Sequence, residues 1–106
     1  MLFRSLWAGF FALNGNGEMT GTHWIEEAGC FAGPMLITNT MSVGMAHHSL
    51  VHWLTRRFPA EFSDDFWALP VVAETYDGYL NDIAKLAVTQ ADVTTALDTT
   101  GLLPSR

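Results

Sequence analysis

Val43, Ala46, Leu50 and Leu54 fall on one face of a helix when the chain from Ser42 is wound at about 100° per residue. No other segment declares its period so plainly. Pro59 stands just beyond, where a ring without an N–H ends helical pairing. An apolar stripe needs cover, and short strand-like runs lie on either side of it. Met35-Leu36-Ile37-Thr38 follows Pro34, and Leu69 to Ala73 runs on to a break at Asp77-Gly78. A helix set between strands makes the fold class α/β. At 106 residues there is room for one domain, 1–106, and not for two independent cores.

The rest of the chain is punctuated less clearly. Trp7 to Leu13 is aromatic-rich and bounded by Asn14-Gly15 and Asn16-Gly17, which predicts a buried strand entering a tight turn. Thr22 to Ile25 reads as the returning strand and Glu26 to Gly29 as the next bend. Phe58 to Ala68 reads as a loop with an acidic centre at Asp64-Asp65. Tyr79 to Val88 fits either period. Thr89 and Asp92 form a T-x-x-D capping pattern that predicts a last helix through about Asp98, while Gly101 to Arg106 offers nothing that packs.

Composition excludes several classes of function. Five Lys and Arg against eleven Asp and Glu give a net charge of −6, so there is no basic stripe for a phosphate backbone and nucleic acid is not an expected partner. Cys30 is the single cysteine, so an internal disulfide is impossible, and a reducing compartment is neither required nor excluded. No apolar run approaches the roughly 18 residues of a membrane span. The opening MLFRSLWAGFFALNGNG lacks an h-region followed by a small-x-small cleavage site and reads as strand; a membrane partner is not expected, and a cytoplasmic location is the default. Hydrophobic residues make up 49% and charged residues only 15%, a balance that suggests surfaces covered by a partner or by further parts of a larger fold.

Each candidate for chemistry has a plainer structural reading. The loop LNGNGEMTG carries Glu18 where a phosphate loop would carry a cation, so it is read as a hairpin. His48 and His52 are four apart on the helix, but Ser49 stands where a zinc protease has Glu; with His47 they read as an exposed or interface face, and no metal ligand is assigned. His23 reads as a turn or pocket residue. Cys30 has no His with an orienting acid at any recognisable spacing, and the serines lack a G-x-S-x-G elbow. In LPVVAETYDG, a short strand delivers Glu74 and Tyr76 to the same side by the period of two. A carboxylate there can bind an ammonium group and a phenol can donate to an oxyanion. From this segment alone, an edge-strand Glu and a packed Tyr are the simpler reading.

Three segments shift that balance. AGFFALNGNGEMTGTHWIEEAG, PMLITNTMSVGMAHHSLVHWL and LPVVAETYDGYLNDI, in this order and spacing between about Ala8 and Ile83, closely resemble the L-aminopeptidase/D-amidase-esterases, a family that includes the β-peptidyl aminopeptidases. The resemblance implies part of an αββα four-layer sandwich like that of the N-terminal-nucleophile hydrolases. It implies a precursor that cuts itself before a serine, which then attacks amide or ester bonds of small peptides and amino-acid amides without a metal or other cofactor. On the matching positions Glu74 would bind the substrate amine and Tyr76 would assist at the reaction centre. Asn14, Asn16 and Glu18 would shape the site or an assembly contact.

The departures from the family pattern set further expectations. Its members continue into an E-G-N-V-G-G-G-T-G segment and later the serine, whereas this sequence reads TTGLLPSR, and AKLA occupies 84–87 where the family tends to Asn-Gly and His. The expectation is an internal piece of the larger enzyme, inactive alone, whose partners are its missing C-terminal half, a small peptide or amino-acid amide, and further copies in a homo-oligomer. Two other readings stay open. One is a catalytically dead remnant that associates through its apolar face; the other is a metal-dependent hydrolase built on His48 and His52.

Overall fold

The sheet and its covering helix arise from one β-α-β unit. β1 (Ser5–Trp7), α1 (Thr22–Ala28) and β2 (Cys30–Ala32) precede it; β3 (Met35–Asn39), α2 (Val43–Arg57), α3 (Pro59–Phe62) and β4 (Val71–Thr75) form it; α4 (Gln90–Thr99) follows. This computed structural model describes residues 5–63 and 67–100. β3 and β4 are parallel, in register from Met35 opposite Val71 to Asn39 opposite Thr75. Parallel neighbours cannot be joined by a tight turn, so the chain must cross over, and α2 with α3 is that crossover.

α2 is held by the face its sequence marks out. Ala46, Leu50, Trp53 and Leu54 are buried there, with Leu50 fully sealed. They pack with Phe58, with Val72 of β4 and with Val93 and Leu97 of α4, while Leu36 and Val43 border the same cluster. Burying a side chain of this size stabilises by roughly 1.5–3 kcal/mol, so this single cluster carries most of the core. Arg56 and Arg57 close the helix at the end where the backbone dipole favours cations. The Trp53 indole nitrogen donates to Asp98 at 2.9 Å, tying α2 to α4.

α4 forms as its capping pattern predicts. The Thr89 hydroxyl accepts from the Asp92 N–H at 3.2 Å, and the Asp92 carboxylate accepts from the Thr89 N–H at 2.9 Å. Two otherwise unpaired N–H groups are satisfied reciprocally.

A third chain segment lies along the free edge of β4. Met19 bridges Ala73 antiparallel, the Thr20 N–H donates to the Val72 carbonyl at 3.0 Å and the Glu74 N–H donates to the Glu18 carbonyl at 3.2 Å. The Thr20 hydroxyl fills the remaining gap, donating to the Pro70 carbonyl at 2.7 Å and accepting from the Val72 N–H at 2.9 Å.

Several sequence expectations are corrected. The predicted strand Trp7–Leu13 is strand only as far as Trp7, where β1 pairs antiparallel with β2; Phe11 and Leu13 are 84% and 91% exposed. Thr22–Ile25 is not a returning strand, and of the expected bend Glu26 to Gly29 only Gly29 turns the chain, because α1 runs through Ala28. Its limits are two left-handed glycines, Gly21 at φ 78° and Gly29 at φ 69°, and the Gly29 N–H closes the last turn on the Ile25 carbonyl at 2.7 Å. One buried residue, Ile25, is too little for a periodicity argument to detect. Within Phe58 to Ala68, Pro59 opens a helical turn instead of a loop, the position proline favours; Asp64-Asp65 lies outside the described residues, as does Gly101 to Arg106. Ile83–Lys85 is a single 3-10 turn ended by Leu86 at φ 54°.

The core is one-sided. Met35 and Ile37, on the face of β3 opposite Leu36, are 51% and 63% exposed. The arrangement is α/β, with α2 and α4 packed on one side of a small parallel sheet whose other face is open at β3.

Candidate functional site

Parallel strands in α/β folds open their carboxyl ends toward a crevice, because the connecting loops diverge there. At that end of this sheet stand Asn39, the last residue of β3, with Thr40 after it, and Glu74 and Thr75 closing β4 with Tyr76 just beyond. Asn39 starts the turn into α2, its side-chain oxygen accepting from the Met41 N–H at 3.1 Å. That turn presents the Thr40 hydroxyl to Glu74, and it donates to Oε2 of the carboxylate.

Glu74 is held from the other side by the Asn-Gly loop. Asn14 folds the loop on itself, its Oδ1 accepting from the Asn16 N–H at 2.8 Å. The chain then passes Gly17 beside the carboxylate, so close that a β-carbon there would lie 2.9 Å from Oε1. Glu18 contributes its backbone carbonyl to the Glu74 N–H and leaves its own side chain exposed. Among the described residues Oε1 of Glu74 has no hydrogen-bond partner. The result is a half-buried carboxylate with one oxygen fixed and the other open, the form suited to accept one N–H from a cation.

Tyr76 is placed differently. β4 ends at Thr75, so the alternation that would carry Tyr76 to the side of Glu74 lapses one residue early. The phenol is 76% exposed and folds back against Gly78, where a β-carbon would overlap it. It lines a hollow of about 420 Å³ with Tyr79, Leu80, Asn81 and Ile83, and Glu74 is not among the lining residues. Thr40 and Gly17 are close neighbours of Glu74. Sequence reading missed both, since their closeness to Glu74 depends on strand register and on a loop that crosses β4.

The remaining candidates lie elsewhere. His48 and His52 stack edge to face on α2 with their Nε2 atoms 3.0 Å apart. Among the described residues no group of three or more His, Cys, Asp or Glu is placed to hold a metal ion. Cys30 is half-buried on β2, opposite Trp7. His23 is exposed on α1, and Ser42 and Ser49 are buried in the turn before α2 and in α2.

The model of peptidase family S58 matches residues 1–102, nearly the whole chain. The chain belongs to peptidase family S58. Among curated relatives of this S58 chain, the β-peptidyl aminopeptidase BapA of Sphingosinicella microcystinivorans is 53% identical over 79 residues, covering 74% of this chain and 19% of that protein. BapA of Sphingosinicella xenopeptidilytica is 44% identical over 93 residues, covering 86% and 22%. Among solved structures, the L-aminopeptidase D-Ala-esterase/amidase of Ochrobactrum anthropi superposes with a TM-score of 0.85 at 58% identity, covering 89% of this chain and 26% of that one. It is described as a prototype for the serine aminopeptidases and a new variant among the Ntn hydrolase fold. This S58 chain spans about a fifth of the length of its curated relatives.

Proposed function

We propose that this chain supplies the amine-recognition part of a serine-type aminopeptidase acting on small peptides, amino-acid amides or esters. The observation that carries the reading is Glu74, a carboxylate at the carboxyl end of a parallel strand with one oxygen tied to Thr40 and the other open. An aminopeptidase must select a free ammonium group beside the scissile bond, and a half-buried carboxylate offers a charge-assisted hydrogen bond that an acylated amine cannot return. Family S58 membership and the similarity to proteins named as aminopeptidases support the same reading.

The chemistry divides between this chain and the rest of a longer enzyme. The nucleophile is a serine outside these 106 residues, freed as a new N-terminus by self-cleavage of the precursor. Its hydroxyl oxygen adds to the substrate carbonyl carbon, and its proton passes to a base at that end. The carbonyl oxygen becomes an oxyanion that the Tyr76 phenol stabilises by donating to it. Collapse breaks the C–N or C–O bond, the leaving group takes the proton, and water then releases the acyl group from the serine. Tyr76 lies beyond the end of β4 on an exposed segment, so the part of the enzyme that carries the serine would bring it toward Glu74. That part would also cover the open face of β3, where Met35 and Ile37 are exposed.

The test is complementation in solution. The chain is combined with a polypeptide carrying the C-terminal part of an S58 relative, including the serine, and release of p-nitroaniline from an amino-acid p-nitroanilide is followed. Cleavage that depends on both pieces is expected. Its absence despite formation of a stable complex would instead support the remnant reading.

A further inference from the structure

We infer that Thr40 and Gly17 are positioning residues that set one rotamer of Glu74 and so offer one carboxylate oxygen first to the incoming amine. The inference rests on the reading of Glu74 as the ammonium acceptor and adds how that acceptor is aimed. A glutamate has three side-chain torsions and loses rotamer freedom when fixed, so a partly exposed one does not hold a single direction unaided. Here two contacts between chain segments favour one direction. The Thr40 hydroxyl donates to Oε2, and Gly17, having no β-carbon, lets the opposite segment pass close to Oε1 while leaving it the space it occupies.

The two contacts differ in kind. Thr40 is attractive and specific to a hydroxyl, which the turn capped by Asn39 presents at a fixed height above the end of β3. Gly17 acts by lacking a side chain. A methyl group there would come within 2.9 Å of Oε1, and the carboxylate, the free end of a flexible chain, would yield before the backbone does. The backbone bond from Glu74 N–H to the Glu18 carbonyl keeps the glycine at this distance, which gives the Asn-Gly loop a task beyond turning the chain. Thr40 takes one lone pair of Oε2 and Oε1 has no donor among the described residues, so Oε1 is the oxygen offered first to the amine, in a direction that depends on the rotamer.

The test uses side-chain NMR of the 106-residue chain, with L-alaninamide as the probe and N-acetyl-L-alaninamide as the control. Three-bond couplings of Glu74 are expected to report one rotamer in the wild type and in Thr40→Ser, and averaging in Thr40→Val. Gly17→Ala should move Glu74 to a different rotamer without lowering the melting temperature. Affinity for L-alaninamide should fall about 3- to 10-fold in Thr40→Val and recover in Thr40→Ser. Couplings in Thr40→Val that match the wild type would overturn the inference. A fixed wild-type rotamer with Glu74→Gln binding L-alaninamide as tightly as wild type would instead overturn the ammonium reading and leave the clamp standing.

Discussion

The indole nitrogen of Trp53, in the second half of α2, donates to the carboxylate of Asp98 near the end of α4, at 2.9 Å and across 45 residues of sequence. Trp53 is only 7% exposed, so its N–H depends on this one acceptor while Asp98 remains at the surface. Asp98→Ala leaves a buried donor without a partner and should cost about 1–3 kcal/mol. Asp98→Asn keeps an acceptor and should cost less. Urea denaturation of the two variants checks the order.

Leu50 and Ile37 test the one-sided core. Leu50 is fully buried between the sheet and α4, and Leu50→Ala should destabilise by about 2–5 kcal/mol, enough to unfold a chain this small. Ile37 is 63% exposed, and Ile37→Ser should change the stability of this chain by no more than about 0.5 kcal/mol. In the complementation assay, Ile37→Ser should nevertheless lower the affinity between the two pieces. Equal affinity for wild type and Ile37→Ser would mean that the open face of β3 is not where the second piece sits.

Two glycines should respond in opposite directions to alanine. Gly21 has φ 78°, and a β-carbon there would meet a Val71 methyl at 3.1 Å and the Pro70 carbonyl at 3.2 Å, so Gly21→Ala should destabilise by about 1–2 kcal/mol or more. Gly44 lies in the first turn of α2 with nothing within 4 Å, and Gly44→Ala should stabilise by about 0.5–1 kcal/mol. Thermal melts of the two variants should shift to either side of the wild type.

The cap of α4 should be sensitive to acid. Hydrogen bonds from the Thr89 backbone, then from its side chain, hold the Asp92 carboxyl below the ordinary value of 3.8. A folded value below the unfolded one means that the contribution is fully present above 3.8 and is lost as pH falls through the lower folded value. Between pH 5 and the acid limit, helicity followed by circular dichroism should therefore decline less in Asp92→Ala than in the wild type. Parallel acid transitions in both chains would show that the cap is not linked to the proton.

Glu74 is best tested in the complemented enzyme. Glu74→Gln should raise KM for a free-amine p-nitroanilide by about tenfold or more, the loss expected for one charge-assisted contact, with a smaller change in kcat. A parallel loss in kcat with KM unchanged would assign Glu74 to the transition state and not to amine binding.

Local chemistry alone determined α2, α4 and the two parallel strands. The stripe from Val43 to Leu54 repeats often enough to reveal its period, the Thr89-Asp92 cap is written within four residues, and the short runs Met35–Thr38 and Leu69–Ala73 mark the two strands, though pairing with β3 sets β4 two residues later, at Val71–Thr75. The family, too, was legible, since long ordered segments matched it. Tertiary structure decided that Thr22–Ala28 is helix, because two left-handed glycines and one buried isoleucine outweigh β-branched propensity there. It also decided the company Glu74 keeps. Parallel register sets the end of β3 beside the end of β4, and a loop nearly sixty residues upstream adds Gly17, so the neighbours of that carboxylate are fixed by contacts between segments that no local pattern encodes.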